Sequence, residues 1–266
     1  QDSAKRQGFV YDYFDWEYPE VIHWGHVQLD AYDVPMSTSS IRELIEAGEL
    51  DGWDDPRAPT IASLRRRGIR GQAIVNALVE LGTSTSNVDL AMSSIYAANR
   101  DLVDDETDRA FLVRDDPDHG GGAVEVQLLG GPETANPPVH PDHEDRGNRE
   151  IPVGQAVLVE SDDLPGHGDR VWLKGFGCVR HTRDAFEPTG DGIDVVREEE
   201  VDVVHWVPAD RNLPTRLRTM DGDVSGYAEP GLSTYESDAL VQFERVGFAR
   251  IDRHEAEETV AYFAHP

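Results

Sequence analysis

Cysteine is almost absent. Cys178 is the one thiol in 266 residues, so no internal disulfide can form, and the residue reads as a small buried side chain. Lysine is nearly as scarce: it occurs only at Lys5 and Lys174, and arginine supplies the rest of the 24 cations. Apolar runs are short as well. None approaches the ~18 residues of a membrane-spanning helix, and no basic segment followed by an apolar one opens the chain. These absences speak against a disulfide scaffold and a membrane partner, and a reducing cytoplasm is the expected setting. The first residue is Gln1, with no initiator Met, which reads as a piece of a longer protein.

What the sequence has in excess is acid. Asp and Glu number 52, and the formal net charge is −28. A phosphate backbone repels such a surface, so the balance taken alone argues against nucleic acid. With lysine this rare, however, it points to a salt-rich cytoplasm, where acidic side chains keep a protein hydrated and screening cuts the reach of a charge to roughly 3 Å at about 1 M salt. The acidity then describes the solvent and not the ligand. Apolar residues at 38% suffice for two compact domains or one large one.

Helical signals cluster between Ser40 and about Asp104. Ser40 with Glu43 reads as a capping box and Gly48 as the stop; Thr60 opens a second short helix that Gly68 closes. Ala73, Ile74, Ala77, Leu78 and Leu81 recur at helical spacing. Val88, Met92, Ile95, Tyr96 and Leu102 do so again behind a Ser84-Thr85-Ser86 start. From Arg109 onward the period changes to two: RAFLVRD, AVEVQLL, AVLVES, DRVWLKG, VDVVHW, TRLRTM, ALVQFE and VGFARID are strand candidates separated by Gly, Pro and Asp turns. Helices followed by strands predict an α+β or multidomain chain with barrels or a sandwich, not an alternating parallel sheet.

Few residues point to chemistry by spacing alone. His119, His140, His143 and His167 lie among Asp and Gly, but no pair has the fixed spacing of a zinc site, and no metal is expected. DHGGG, at Asp118 to Gly122, lacks a following Lys-Ser/Thr and a helix, and reads as a hairpin turn. The charge pattern says more. From Pro56 to Val79 there is no Asp or Glu, whereas Arg57, Arg65, Arg66, Arg67 and Arg70 place five cations there. Arginine forks onto phosphate oxygens in a defined geometry, so this island predicts a phosphate partner; the alternative is a solvated helix face paired with acids elsewhere.

DGWDDPRAPTIASLRRRGI, from Asp51 to Ile69, resembles the Gly-Trp-Asp-Asp-Pro-Arg segment of the glutamyl- and glutaminyl-tRNA synthetase family, archaeal and eukaryotic type. The similarity continues in order through DRAFLVRDDP, VHPDHEDRGNREIPV, VVHWVPADRNLPTRL, GYAEPG and VQFERVGFARID, and covers roughly residues 8 to 266. It implies a helical stem-contact domain followed by two antiparallel β-barrels. Residues 1–41 would be the end of the catalytic domain, 42–108 the stem-contact domain and 109–266 the anticodon-binding barrels, the distal one (about 140–210) inserted in the proximal one so that the neighbourhoods of Arg109 and Gln242 meet.

The resemblance also sorts two ATP-like signatures. His23-Trp24-Gly25-His26 imitates a His-x-Gly-His motif that the family carries far upstream, and is a coincidence of letters. Met36, Ser37, Thr38, Ser39 and Ser40 fall where the family has its Met-Ser-Lys loop, with Thr38 in place of the cation that would face ATP phosphates. The parent reaction implied is ligation of glutamate to tRNA(Glu) with ATP and Mg2+, and tRNA(Gln) is a further candidate partner. This stretch, without the nucleotide-binding fold, is not expected to act alone. Glutaminyl-tRNA synthetase is the alternative, as is a free-standing RNA-binding module. By carry-over, Arg57, Arg65, Arg66, Arg67 and Arg70 would meet tRNA phosphates, while Arg109, Lys174, Gln242 and Arg245 would meet the anticodon. A monomer without a DNA partner is expected.

Overall fold

The computed structural model describes residues 2–32, 34, 36–183 and 185–266. Its first part is helical. Helix α1 (Asp2–Tyr13) buries nothing, and a short strand β1 (Val27–Leu29) leads to α2 (Thr38–Glu46), α3 (Ile61–Arg67) and α4 (Gly71–Leu81); β2 (Val88–Leu90) and α5 (Met92–Val103) follow. Among the local expectations here, α3 matches. Thr60 Oγ1 accepts the Ser63 N–H at 2.9 Å, and Gly68, at φ 94°, closes the helix.

Two neighbouring expectations are corrected. Helix α2 starts at Thr38, because Ser37 and not Ser40 is the N-cap, its hydroxyl accepting the Ser40 N–H at 3.1 Å. Val88 lies on β2, paired in parallel with Val27, and α5 begins only at Met92. The Met92 N–H finds its acceptor in Asp30 Oδ1 at 3.0 Å, while Ser84 folds its hydroxyl onto the Ser86 N–H at 3.2 Å. The acceptor for the start of α5 thus comes from a distant residue, and the serine-rich stretch is a turn. Gly25 explains the crowding of this corner: a Cβ there would stand 2.0 Å from the Ser86 carbonyl oxygen.

The rest is β. Strands β3 (Asp108–Ala110) and β4 (Leu112–Arg114) open it. Then come β5 (Ala123–Leu128), a two-stranded ribbon of β6 (Thr134–Ala135) and β7 (Ile151–Pro152), β8 (Ala156–Glu160), β9 (Arg170–Leu173), β10 (Gly177–Thr182), β11 (Ala185–Pro188), a short helix α6 (Ile193–Glu198), β12 (Val203–Val204) and β13 (Val207–Pro208). The chain ends on β14 (Leu213–Arg218), β15 (Asp223–Ala228), β16 (Leu240–Phe243), β17 (Gly247–His254) and β18 (Thr259–His265).

Two seven-stranded sheets result, ordered β3-β16-β17-β18-β14-β15-β4 and β12-β9-β10-β11-β5-β8-β13. In the first, the edge strands β3 and β4 are consecutive, so the sheet curls back on itself and is a nearly closed barrel. The second is built wholly from chain between β4 and β14, so it is an insertion; it starts at Ala123, earlier than the expected residue 140.

Period-two alternation joins the sheets. Ala110 and Leu112 point into the core of the first sheet with Val241, Phe243 and Ile251. The intervening Phe111 and Val113 point into the core of the second with Phe186, Val207 and the fully buried Trp206. The stretch from Ala110 to Val113, running from the end of β3 into β4, thus feeds two cores. On the opposite side, Phe248 and Ala264 leave the barrel to pack with Leu64, Ile69, Ala73 and Ile95 of the helical part. Among the described residues no helix is long and apolar enough to cross a membrane.

Candidate nucleic-acid interface

The five island arginines have different fates. Consecutive helical residues point about 100° apart, so Arg65, Arg66 and Arg67 cannot share a face. Arg67 turns inward and is 1% exposed; its guanidinium donates to the carbonyls of Phe263 (2.9 Å) and Ala264 (2.6 Å) and to Tyr96 Oη (2.7 Å). It is a rivet between α3 and β18 and leaves the set of surface cations expected at phosphates. Arg66 lies over the Tyr262 ring at 4.5 Å and pairs with Asp54 at 2.9 Å and Asp252 at 3.1 Å. Arg57 is clasped by buried Asp55 at 2.7 Å. Burial raises the Asp55 carboxyl, but hydrogen bonds from the Arg57 side chain and from the Asp51 and Arg57 backbone outweigh it and hold the pKa at about 2.

Arg65 and Arg70 remain outward. Arg65 has no ion pair among the described residues, and Arg70 reaches only exposed Glu106 at 3.6 Å. Both line one surface cleft with Gly68, Leu240 and Arg250. Arg218 of β14 ties the Asp51 carboxylate at 2.7 Å and so fastens the start of the GWDDPR segment to the barrel, while Asp54 pairs with Arg66 of α3 and Asp55 with Arg57, both inside the helical part.

The four residues expected at the anticodon converge on one strand. Arg109 of β3 lies beside Gln242 of β16 in parallel register. Val241 and Phe243 are buried in the barrel, so Gln242 faces the other way and is half-buried. Just past the strand, Glu244 accepts a hydrogen bond from Lys174 Nζ, and Arg245 forks onto Asp163 at 2.6 and 2.7 Å. Arg109 itself is 6% exposed, with its guanidinium on the Thr107 carbonyl (3.1 Å) and Asp104 (2.7 Å). Arg245, about half exposed, is therefore the most open of the four, while Gln242 is half-buried and Lys174 about one-third exposed.

Residues that no local pattern marks hold this cluster. Arg149 lies 4.7 Å over the Phe111 ring, donates to the Pro138 carbonyl at 2.8 Å, and reaches Glu229 at 2.9 Å and Glu244 at 3.6 Å. Glu229 in turn accepts the Phe111 N–H at 2.8 Å; its burial pushes the carboxyl up to about 7 despite Arg149. Arg114 of β4 forks onto Glu160 of β8, both contacts at 2.8 Å. Burial opposes ionisation of Glu160, but the hydrogen bonds from the Arg114 side chain and backbone prevail and bring it down to about 2.

The His-Pro loop is a brace. Nδ1 of buried His140 accepts the Asp142 N–H at 3.1 Å, so Nε2 donates to the Asp104 carbonyl at 3.0 Å, while Arg146 donates to the Asp105 carbonyl at 2.9 Å. The loop thereby grips the joint between α5 and β3. Among the described residues no group of three His, Cys, Asp or Glu is placed to hold a metal. The DHGGG turn bridges Asp116 to His119, with Gly120, Gly121 and Gly122 all at positive φ. Met36, Ser37, Thr38 and Ser39 are exposed around the first turn of α2, and Ser37 Oγ donates to Ser40 Oγ at 2.7 Å.

A nearly closed barrel, an insertion clamped to it and a helical part with outward arginines make up the chain, and family models match all three parts. The catalytic-domain model of class I tRNA synthetases (E and Q) matches residues 1–105, and two anticodon-binding-domain models of that group match 107–198 and 203–252. The chain belongs to the class I glutamyl- and glutaminyl-tRNA synthetase family. It is 72% identical over its whole length to the glutamate–tRNA ligase of Haloarcula marismortui, 71% to that of Natronomonas pharaonis and 40% over 99% of its length to that of Methanosarcina acetivorans. It covers 46%, 45% and 46% of these proteins, so it spans about half the length of the curated relatives it matches.

Proposed function

We propose that this chain is the tRNA-binding part of a glutamate–tRNA ligase, which joins L-glutamate to tRNA(Glu) through glutamyl-adenylate. The barrel of β3, β4 and β14–β18 and a second barrel made by the inserted sheet read the anticodon; residues 42–108 contact the inner stem. The observation that carries this reading is the convergence of Arg109, Lys174, Gln242 and Arg245 around β16. Anticodon bases splay out as single strands and are read by edge hydrogen bonds and stacking, which an amide and a guanidinium at a strand end can supply. Arg65 and Arg70 serve the stem instead, because phosphate contacts fix the register of a nucleic acid without reading it.

Glutamate is favoured over glutamine because the relatives at 72% and 71% identity are glutamate–tRNA ligases. The longer reaction requires ATP and Mg2+. The Met36–Ser40 loop offers it hydroxyls and the N-terminal turn of α2, but Thr38 carries no charge, and these residues do not by themselves fit a triphosphate. No step of adenylate formation is assigned to them. A cytoplasmic monomer completes the reading.

The test is binding of the chain to tRNA(Glu), tRNA(Gln) and an anticodon-swapped tRNA(Glu) at about 2 M KCl, where screening shortens electrostatic reach to below ~3 Å. Preference for one or both natural tRNAs that collapses on anticodon substitution supports the proposal. Equal binding of all three by the folded chain refutes it.

A further inference from the structure

Glu244 and Arg245 are consecutive, opposite in charge, and each meets its opposite on the inserted sheet's side. Lys174, in the turn between β9 and β10, donates to Glu244; Arg245 donates from both terminal nitrogens to both oxygens of Asp163. Asp163 is well anchored. Its side chain is 11% exposed, and it lies three residues beyond Glu160, the acid that Arg114 grips from the barrel. Arg245 has φ 64°, a left-handed conformation uncommon for a residue with a long side chain, in the tight turn between β16 and β17. Backbone and carboxylate together fix where its guanidinium lies.

We propose that Asp163 is a positioning and specificity-determining residue for RNA recognition, with Glu244 in the same role for Lys174. The inference rests on the reading of Arg245 and Lys174 as anticodon contacts. A free arginine on this surface would attract any phosphate, and so bind RNA without regard to sequence. Paired end-on with a carboxylate, the guanidinium keeps three of its five N–H donors and both faces, but its plane is set and its charge is cancelled locally. An incoming phosphate then meets the Asp163 carboxylate as well as the cation. A neutral base edge meets oriented donors and no net repulsion. The acid thus discriminates against the wrong part of the RNA, an element of specificity made from repulsion.

The test compares Asp163→Asn, Glu244→Gln and Arg245→Ala in the full chain. Each is titrated with tRNA(Glu) and its anticodon-swapped form between about 0.5 and 2 M KCl, with thermal unfolding measured beside it. Asp163→Asn keeps the shape and removes the charge. It is expected to strengthen binding of the swapped tRNA, to reduce the cognate-to-swapped ratio by about tenfold, and to steepen the salt dependence by nearly one phosphate contact. Glu244→Gln gives the same pattern through Lys174. An unchanged ratio and salt slope in both acid variants, with a reduced ratio in Arg245→Ala, would overturn the inference and leave the anticodon reading standing. Uniformly weaker binding with a lowered melting temperature would reduce Asp163 to a strut between sheets and also overturn it. An unchanged ratio in Arg245→Ala would remove the anticodon reading beneath it.

Discussion

Gln242 lies directly beside Arg109, on parallel strands, although the whole inserted sheet separates them in the chain. The barrel's edge strand is laid down first, the chain leaves to build a second core, and β16 returns to pair with the strand left behind. Phe111, between β3 and β4, and Val113, on β4 at the barrel's other edge, belong to the second core. A shift of the insertion would therefore pull on β3 and β4 at both edges of the barrel. Rigid placement of Gln242 and Arg245 follows from shared packing, and the inter-sheet ion pairs add orientation to a joint that apolar contacts already hold.

The division of labour among polar residues is separable by mutation. Gln242→Ala and Arg245→Ala should each reduce discrimination between cognate and anticodon-swapped tRNA by about 1–3 kcal/mol, the worth of a good base contact. A double Arg65→Ala, Arg70→Ala change should weaken binding to both tRNAs alike and flatten the salt dependence by about one contact per residue. Equal losses from the two sets in the same titrations would sink the assignment.

Arg67 should behave unlike its neighbours. It is 1% exposed and satisfies two carbonyls of β18, so Arg67→Met leaves buried acceptors without donors at about 1–3 kcal/mol each. The expected result is a fall in unfolding free energy of about 2–5 kcal/mol by denaturant titration, with the ratio of cognate to swapped binding preserved in the fraction that stays folded. A stable Arg67→Met chain with selectively weakened RNA binding would contradict the rivet.

How much of this was legible depends on how local each signal is. Thr60 and Gly68 bound α3 through hydrogen bonds within a few residues, and the chain reads as it folds. DRVWLKG, TRLRTM and ALVQFE show alternation because one face meets a core and the other does not. TVAYFAH, at β18, escapes for the opposite reason: it lies between β17 and β14 with the barrel on one side and the helices on the other, so six of its seven residues are buried and the alternation disappears. The N-terminal acceptor for α5 is Asp30, beyond any local window. The arginine island was visible as charge, but only the turn of α3 decides that Arg65 faces water and Arg67 the interior. Asp163, Glu244 and Arg149 carry no local signature at all, since their partners are distant in sequence.

The GWDDPR segment invites a prediction about stability. Asp55 is buried and accepts the backbone N–H groups of Asp51 and Arg57, each at 2.9 Å, as well as the Arg57 side chain. Asp55→Ala leaves these donors unpaired, at a cost of about 1–3 kcal/mol. The loop also presents Asp51 to Arg218 of β14, so the loss should loosen the helical part from the barrel first. Hydrogen exchange should quicken at Arg65–Ile69 before it does at β16 and β17. Uniform protection loss across both regions would show that the segment is not the fastener.

Two buried glutamates should give stability opposite slopes against pH. Glu160 is lowered to about 2 from an ordinary 4.5: burial works against ionisation, and the hydrogen bonds from Arg114 overcome it. Its contribution is complete above pH 4.5 and is lost as the pH falls towards 2, where the folded state too must take up the proton. Glu229 runs the other way. Burial raises it from 4.5 to about 7, with Arg149 opposing, so between these values the folded state holds a proton that the unfolded state has released. Stability contributed through Glu229 therefore falls as the pH rises from 4.5 to 7 and is flat beyond. Denaturant titrations across pH 3 to 8 at constant KCl should show a Glu229→Gln chain without the decline between 4.5 and 7, and a Glu160→Gln chain without the acid-side loss. If Glu229→Gln keeps the wild-type slope in its window, the carboxyl is ionised throughout, and Arg149 outweighs the cost of burying it.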